Sequence, residues 1–194
     1  MQIKNSFEVA QPIDKVWRFF DDIPQVAACL PGTELTDDLG NNKYAGKVAI
    51  RMGPVKLQFA GNAEIRERDD AAKRIVVDAA GSDERGRGQA AMSGAASLAA
   101  VPGGTRVDVD LDLQLSGAAA QYGRGMISDV TAILMSDFAA SMQRRIDAVS
   151  KGLNPDQVAA VKSASGFAIG LRAMRLALGR VFARFFLPYQ PNPS

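Results

Sequence analysis

Three runs of strict alternation constrain this chain more than anything else in it. Tyr44, Gly46, Val48 and Ile50 alternate with Ala45, Lys47, Ala49 and Arg51. Beyond Gly53 and Pro54, Val55, Leu57, Phe59, Gly61, Ala63 and Ile65 alternate with Lys56, Gln58, Ala60, Asn62, Glu64 and Arg66. Val107, Val109, Leu111, Leu113 and Leu115 then alternate with Asp108, Asp110, Asp112 and Gln114. A side-chain period of two puts the apolar set on one face of a strand and the polar set on the other. One dry face and one wet face mark an antiparallel sheet, and the dry face needs a cover. Only residues 123–150 are long enough to provide it. There Ile127, Val130, Leu134, Phe138, Met142, Ile146 and Val149 recur at spacings of three and four, which predicts one long helix. Gly152 stops it and Pro155 lies just beyond.

The remaining elements fit around this pair. Ile3, Phe7 and Val9 predict a strand over 2–9. Pro12 suits a first helical turn, and Val16, Trp17, Phe19 and Phe20 give a helix from Ile13 to Asp21 its apolar face. A second short helix is expected over Pro24–Ala28, ended by a turn at Cys29–Gly32. Asp69 and Asp70 mark a turn, Ile75–Ala79 a strand, residues 88–98 a strand of small residues, and Gly103-Gly104 another turn. The expected class is α+β: a curved antiparallel sheet wrapped around a long C-terminal helix, with two short helices after the first strand. Sheet and helix meet along a line, so this arrangement leaves an internal space.

The formal net charge of +2 conceals a split. Residues 1–150 hold 17 Lys and Arg against 20 Asp and Glu, whereas residues 151–194 hold 6 against 1. Such asymmetry points to an acidic partner for the basic part. On a helical wheel, Phe167, Leu171, Met174, Leu178, Val181, Phe182 and Phe185 fall in one arc, opposite Arg172, Arg175, Arg180 and Arg184; Ile169 and Leu176 interrupt the basic side. This is the pattern of a helix lying in a lipid interface, where four arginines contribute roughly 4 kcal/mol against an anionic leaflet. Docking of this helix on a partner or on the preceding domain is the alternative. Those arginines also make a membrane crossing very costly. The chain therefore divides into a domain over 1–150, a linker over 151–165, a basic amphipathic membrane-surface helix over 166–187 and a disordered tail over 188–194.

The chain has no histidine and one cysteine, Cys29. That excludes Ser-His-Asp and Cys-His catalysis, imidazole-ligated metals, multi-thiolate metal sites and an internal disulfide. No phosphate loop and no Gly-x-Gly-x-x-Gly after a strand is present. No catalytic residue and no metal site is assigned, and the chain is read as a non-enzyme. The opening MQIKNSFEVA predicts no secretion signal, so with the lone cysteine a cytoplasmic protein is expected, held peripherally at the inner face of the cell membrane by its basic terminal helix. Arg85-Gly86-Arg87-Gly88 reads as a hairpin turn with solvated arginines. It lacks the interleaved aromatics of a single-strand nucleic-acid binder, so no nucleic-acid partner is expected. Asp108, Asp110 and Asp112 alternate on the wet face and read as solvated.

Three separated motifs, CLPG at 29–32, GPVKLQFAG at 53–61 and QYGRGMISDV at 121–130, resemble the CoxG family of carbon monoxide dehydrogenase. This is a branch of the helix-grip (SRPBCC/START-like) superfamily of ligand-binding domains, and the resemblance covers residues 1–150. It implies a cavity for a lipophilic small molecule, no covalent cofactor, and a place beside carbon monoxide dehydrogenase or a related molybdenum hydroxylase. A respiratory quinone, menaquinone or ubiquinone, is the bound ligand it suggests. Small residues at 90–100 and 117–120 leave volume for such a pocket, with close helix–sheet packing as the alternative. Met52, Phe59, Met92, Met126, Leu134 and Phe138 are candidate lining residues, and a Phe at Ala95 is expected to fill the space. Tyr44 and Tyr122 are candidates to hydrogen-bond a quinone carbonyl, the alternative being tyrosines at the rim. Three functions remain open: a lipid-binding carrier, a membrane recruitment or assembly factor with a vestigial cavity, and an enzyme for a small apolar substrate.

Overall fold

The computed structural model describes residues 1–52 and 55–155, Met52 by its backbone only. Its elements are β1 (Gln2–Val9), α1 (Ile13–Phe19), α2 (Ile23–Cys29), β2 (Thr33–Gly40), β3 (Lys43–Met52), β4 (Val55–Asp69), β5 (Arg74–Asp83), β6 (Gln89–Val101), β7 (Gly104–Leu115) and α3 (Arg124–Ser150), with a 3₁₀ turn over Gly117–Gln121. All seven strands form one antiparallel sheet in the order β1-β7-β6-β5-β4-β3-β2. The α+β arrangement expected from the alternation, and the helix-grip fold that the resemblance implies, are present: a curved sheet, one long C-terminal helix and two short helices early in the chain.

Local chemistry explains the joints. Asp22 caps α2 by accepting from Gln25 N at 3.1 Å, and Pro24 occupies its first turn. Gly32, at φ +77°, closes the Cys29–Gly32 turn, and any Cβ there would collide with the Ala49 carbonyl. Asn41 and Asn42, both at positive φ, make the two-residue turn between β2 and β3. β2 itself escapes the sequence reading because TELTDDLG shows no alternation; it is an exposed edge strand with two register shifts, the form edges take to resist further pairing.

The inner face of the sheet covers α3 unevenly. The helix runs along β1 and against α1 and α2. Ile127, Val130, Phe138, Met142 and Ile146 are buried, as the periodicity predicts. Val149 is a correction: it is 62% exposed. The chain folds back at Lys151–Leu153 over Ala148, whose carbonyl accepts from Lys151 N and Leu153 N, and leaves Val149 uncovered. Among the described residues, no helix is long and apolar enough to cross a membrane.

Candidate functional site

The buried core is not continuous. One cluster joins Val9, Val16, Trp17, Phe20, Cys29, Ile75, Leu98, Val107, Phe138, Met142 and Ile146 around the C-terminal half of α3. A second joins Leu57, Phe59, Ala119 and Val130 near its start. Between them the sheet presents small side chains in register. Gly46 pairs with Gly61, Gly61 with Gly81 and Gly81 with Ala90. The next row runs Tyr44, Ala63, Ala79, Met92 and Leu113. A Cβ on Gly61 would collide with the Ala80 carbonyl, and one on Gly81 would lie 2.8 Å from the Ala60 carbonyl oxygen. These glycines let the strands approach closely while the sheet bends, and they leave its inner surface bare. Leu111, Leu113 and Leu115 share the inward parity of buried Val107, yet each is only partly buried. Leu115 packs on the second cluster, whereas Leu111 and Leu113 lie in the interval between the two clusters. Met92 and Leu111 lean across it: a Cβ at Gly94 would lie 2.9 Å from Leu111 Cδ2 and 3.4 Å from Met92 Cε.

Polar groups reach this interior sparingly. Tyr44 has inward parity in β3 and is half-buried. Tyr122 packs on the second cluster. Asn5 has the inward parity of Ile3 and Phe7 in β1, and its Nδ2 is buried without a hydrogen-bond partner among the described residues. Nothing in the motifs singles out Asn5, although its signal is present: one polar residue on the apolar parity of a strand. Deeper, Arg145 Nη1 donates to Gln25 Oε1 beside Cys29. Burial pushes the Cys29 thiol up, against the smaller opposing influence of a Ser141 hydrogen bond and Arg145, so the sulfur is a packed thiol.

The remaining candidates scatter. Phe59 belongs to the second cluster and Leu134 packs against it. Phe138 belongs to the first, its ring edge-on to Phe7 at 5.9 Å between centroids. Met92 lies in the interval between the clusters. Met126, expected in the lining, is 42% exposed on the first turn of α3. The side chain of Met52 lies outside the described residues. Ala95 is a correction: it pairs with Val76 and Asp110, on the outer parity, so a Phe there would point away from the interior. The membrane-binding candidates Phe167, Leu171, Arg172, Met174, Arg175, Leu178, Arg180, Phe182, Arg184 and Phe185 also lie outside the described residues, as do 156–165 of the linker and the tail.

The 85–88 hairpin differs from its expectation. Arg87, its side chain 31% exposed, is held by partners and is not a free solvated arginine. Its Nε and Nη2 donate to both Asp83 carboxylate oxygens at 2.8 Å, and Nη2 also donates to the Lys56 carbonyl at 2.8 Å. Asp83 is 4% exposed and accepts further from Gln58, Arg85 and Arg87 backbone N–H groups. The Arg87 bond first, then the backbone donors, hold its carboxyl well below the usual carboxylate range against the opposing effect of burial.

A depression of about 540 Å³ is lined mostly by outward-parity residues such as Asn62, Glu64, Asp78, Ala80, Ser93 and Asp112, and also by Ala63, Ala79 and Met92 of the inward row. It is wide and charged and does not suit an apolar ligand.

The family model for the CoxG component of carbon monoxide dehydrogenase matches residues 6–147. Among solved structures, a conserved protein from Geobacillus kaustophilus is similar at TM-score 0.68 and 21% identity, over 76% of this chain and 95% of that one. A Thermus thermophilus protein is similar at TM-score 0.55 and 15% identity, over 77% and 99%. The Zhui aromatase/cyclase from a Streptomyces species is similar at TM-score 0.53 and 17% identity, over 77% and 97%. At these identities the likeness is one of fold. No curated protein matches the chain.

Proposed function

Because the chain belongs to the CoxG family of carbon monoxide dehydrogenase, we propose that it binds a lipophilic molecule inside the helix-grip domain and passes it between a membrane and a partner enzyme, without catalysing a reaction itself. The observation that carries this reading is the interrupted core, with rows of Gly and Ala between its two clusters and the partly exposed Leu111 and Leu113 beside them on the same face of the sheet. Each methylene of a ligand buried there contributes about 0.8 kcal/mol. Met92 and Leu111 are flexible enough to yield to an irregular tail. A respiratory quinone suits the chemistry, its tail along the leucines of β7 and its carbonyls within reach of Asn5 or Tyr44. Carbon monoxide dehydrogenase, or a related molybdenum hydroxylase, is the partner that the family name suggests. The basic segment 166–187 would hold the domain at the inner face of the membrane.

The buried, protonated Cys29 offers no nucleophile, which argues against the enzyme reading. The test is mass spectrometry of lipids extracted from the purified full chain and from a variant ending at residue 165. A stoichiometric quinone in both supports the carrier. Its absence from both, after expression in a quinone-containing host, overturns the carrier and leaves recruitment of the partner enzyme.

A further inference from the structure

Three parts of the chain converge where α3 begins: the adjoining ends of β3 and β4, the β5–β6 hairpin and the stretch from β7 into α3. Glu84 N donates to the Gln58 carbonyl at 2.8 Å and Ala118 N to the Arg87 carbonyl at 2.7 Å, while Arg87 holds the Lys56 carbonyl. This end carries Arg51, Lys56, Arg85 and Arg124, all exposed. Arg51 and Lys56 stand directly opposite each other on β3 and β4, an arrangement that costs stability by itself. None of the four makes an ion pair among the described residues. Their acidic neighbours are already engaged, Asp83 by Arg87 and Glu84 by Lys47 at 2.8 Å. Elsewhere on the sheet cations are matched, as in Lys4 with Asp110 and Arg106 with Asp108.

The helix adds to this charge. Gly123 provides no side-chain cap and the first turn of α3 has no acidic residue, so no first-turn side chain offsets the positive dipole end at the same place. Met126 stands exposed beside them.

We propose that this end of the folded domain is a docking face for an anionic lipid surface, separate from the 166–187 segment. Cations spread over these three parts around an exposed methionine match a diffuse layer of headgroups. On the acidic β2 edge, Asp37 and Asp38 pair with Ala45 and Tyr44, toward the end of β3 remote from Arg51. The domain then stands with the start of α3 toward the bilayer. The inference goes beyond the ligand-binding reading and does not require a loaded interior.

The test is sedimentation of the full chain with vesicles of phosphatidylcholine and phosphatidylglycerol, against phosphatidylcholine alone. Arg51→Gln with Lys56→Gln, and separately Arg85→Gln with Arg124→Gln, should each lower partition onto anionic vesicles roughly 30-fold, from about 1 kcal/mol per basic residue. The first pair should keep or raise its thermal midpoint, since it removes a like-charge contact. Arg18→Gln with Arg144→Gln, away from this end, should bind as the parent does. Unchanged partition in both test pairs overturns the inference and leaves an acidic protein as the occupant. Equal loss in the control pair also overturns it, because binding would then follow net charge and not this face. Extracted lipid in the same variants reports the interior separately, so an empty domain that still docks defeats only the carrier reading.

Discussion

Asn5 and Asp83 show two opposite ways of burying a polar side chain. The Asn5 amide has a buried Nδ2 with no partner among the described residues, an arrangement that costs about 1–3 kcal/mol. Replacing it with the similarly shaped leucine should therefore raise stability by about 1 kcal/mol in urea titration. If the amide serves a ligand carbonyl, the same variant should retain less quinone on purification. Loss of stability would instead reveal a hydrogen bond essential to the fold. Asp83 is the reverse case, a carboxylate met by a two-pronged arginine and three backbone donors. Its carboxyl is held below its ordinary value of 3.8, so between the two values the unfolded chain binds the extra proton. Its contribution is complete above the ordinary value and is lost as pH falls through the lowered one. Thermal melts down to about pH 2 should show this acid limb in the parent and a flatter one in Asp83→Asn. That variant should also melt several degrees lower at neutral pH, because Arg87 loses its partner.

At the scale of elements, the bend of the sheet rests on glycines in register. Gly61→Ala should cost about 3 kcal/mol in denaturant unfolding, since its Cβ meets the Ala80 carbonyl head-on. Gly125→Ala, with open space around it on α3, should instead stabilise by about 0.7 kcal/mol. Equal effects at the two positions would mean that close strand approach does not explain the row. The same elements show what is legible in the sequence. Strands β3, β4 and β7 and the body of α3 can be read because each has one dry and one wet side, and periodicity reports only that contrast. β2 is wet on nearly all sides and gives no such signal. β6 is small on both faces, so its length is readable but the facing of Ala95 is not; only its register with Val76 and Asp110 settles it. Gly46 and Gly61 can be placed on the inner face by parity, but their meeting with Gly81 depends on pairings that no local pattern encodes.

For the whole molecule, the open question is whether the interval between the two clusters is usable space or merely loose packing. Side-chain identity alone cannot separate these, because a row of small residues serves either a ligand or a close helix. Energetics can. A side chain added to a filled core forces strain of about 1–3 kcal/mol, whereas one added to open space does not. Ala79 sits in the row with Tyr44, Ala63, Met92 and Leu113, facing the interval, while Ala95 lies on the outer side of the neighbouring strand. Ala79→Phe should therefore leave the thermal midpoint nearly unchanged and cut co-purified quinone about tenfold, equivalent to about 1.4 kcal/mol of binding. Ala95→Phe should alter neither. A marked fall in the midpoint of Ala79→Phe with undiminished ligand would mean that the interval is packed and that any ligand sits elsewhere. The bare glycine row would then serve the bend alone, and the role of the domain would rest on its surfaces, beginning with the cationic end at the start of α3.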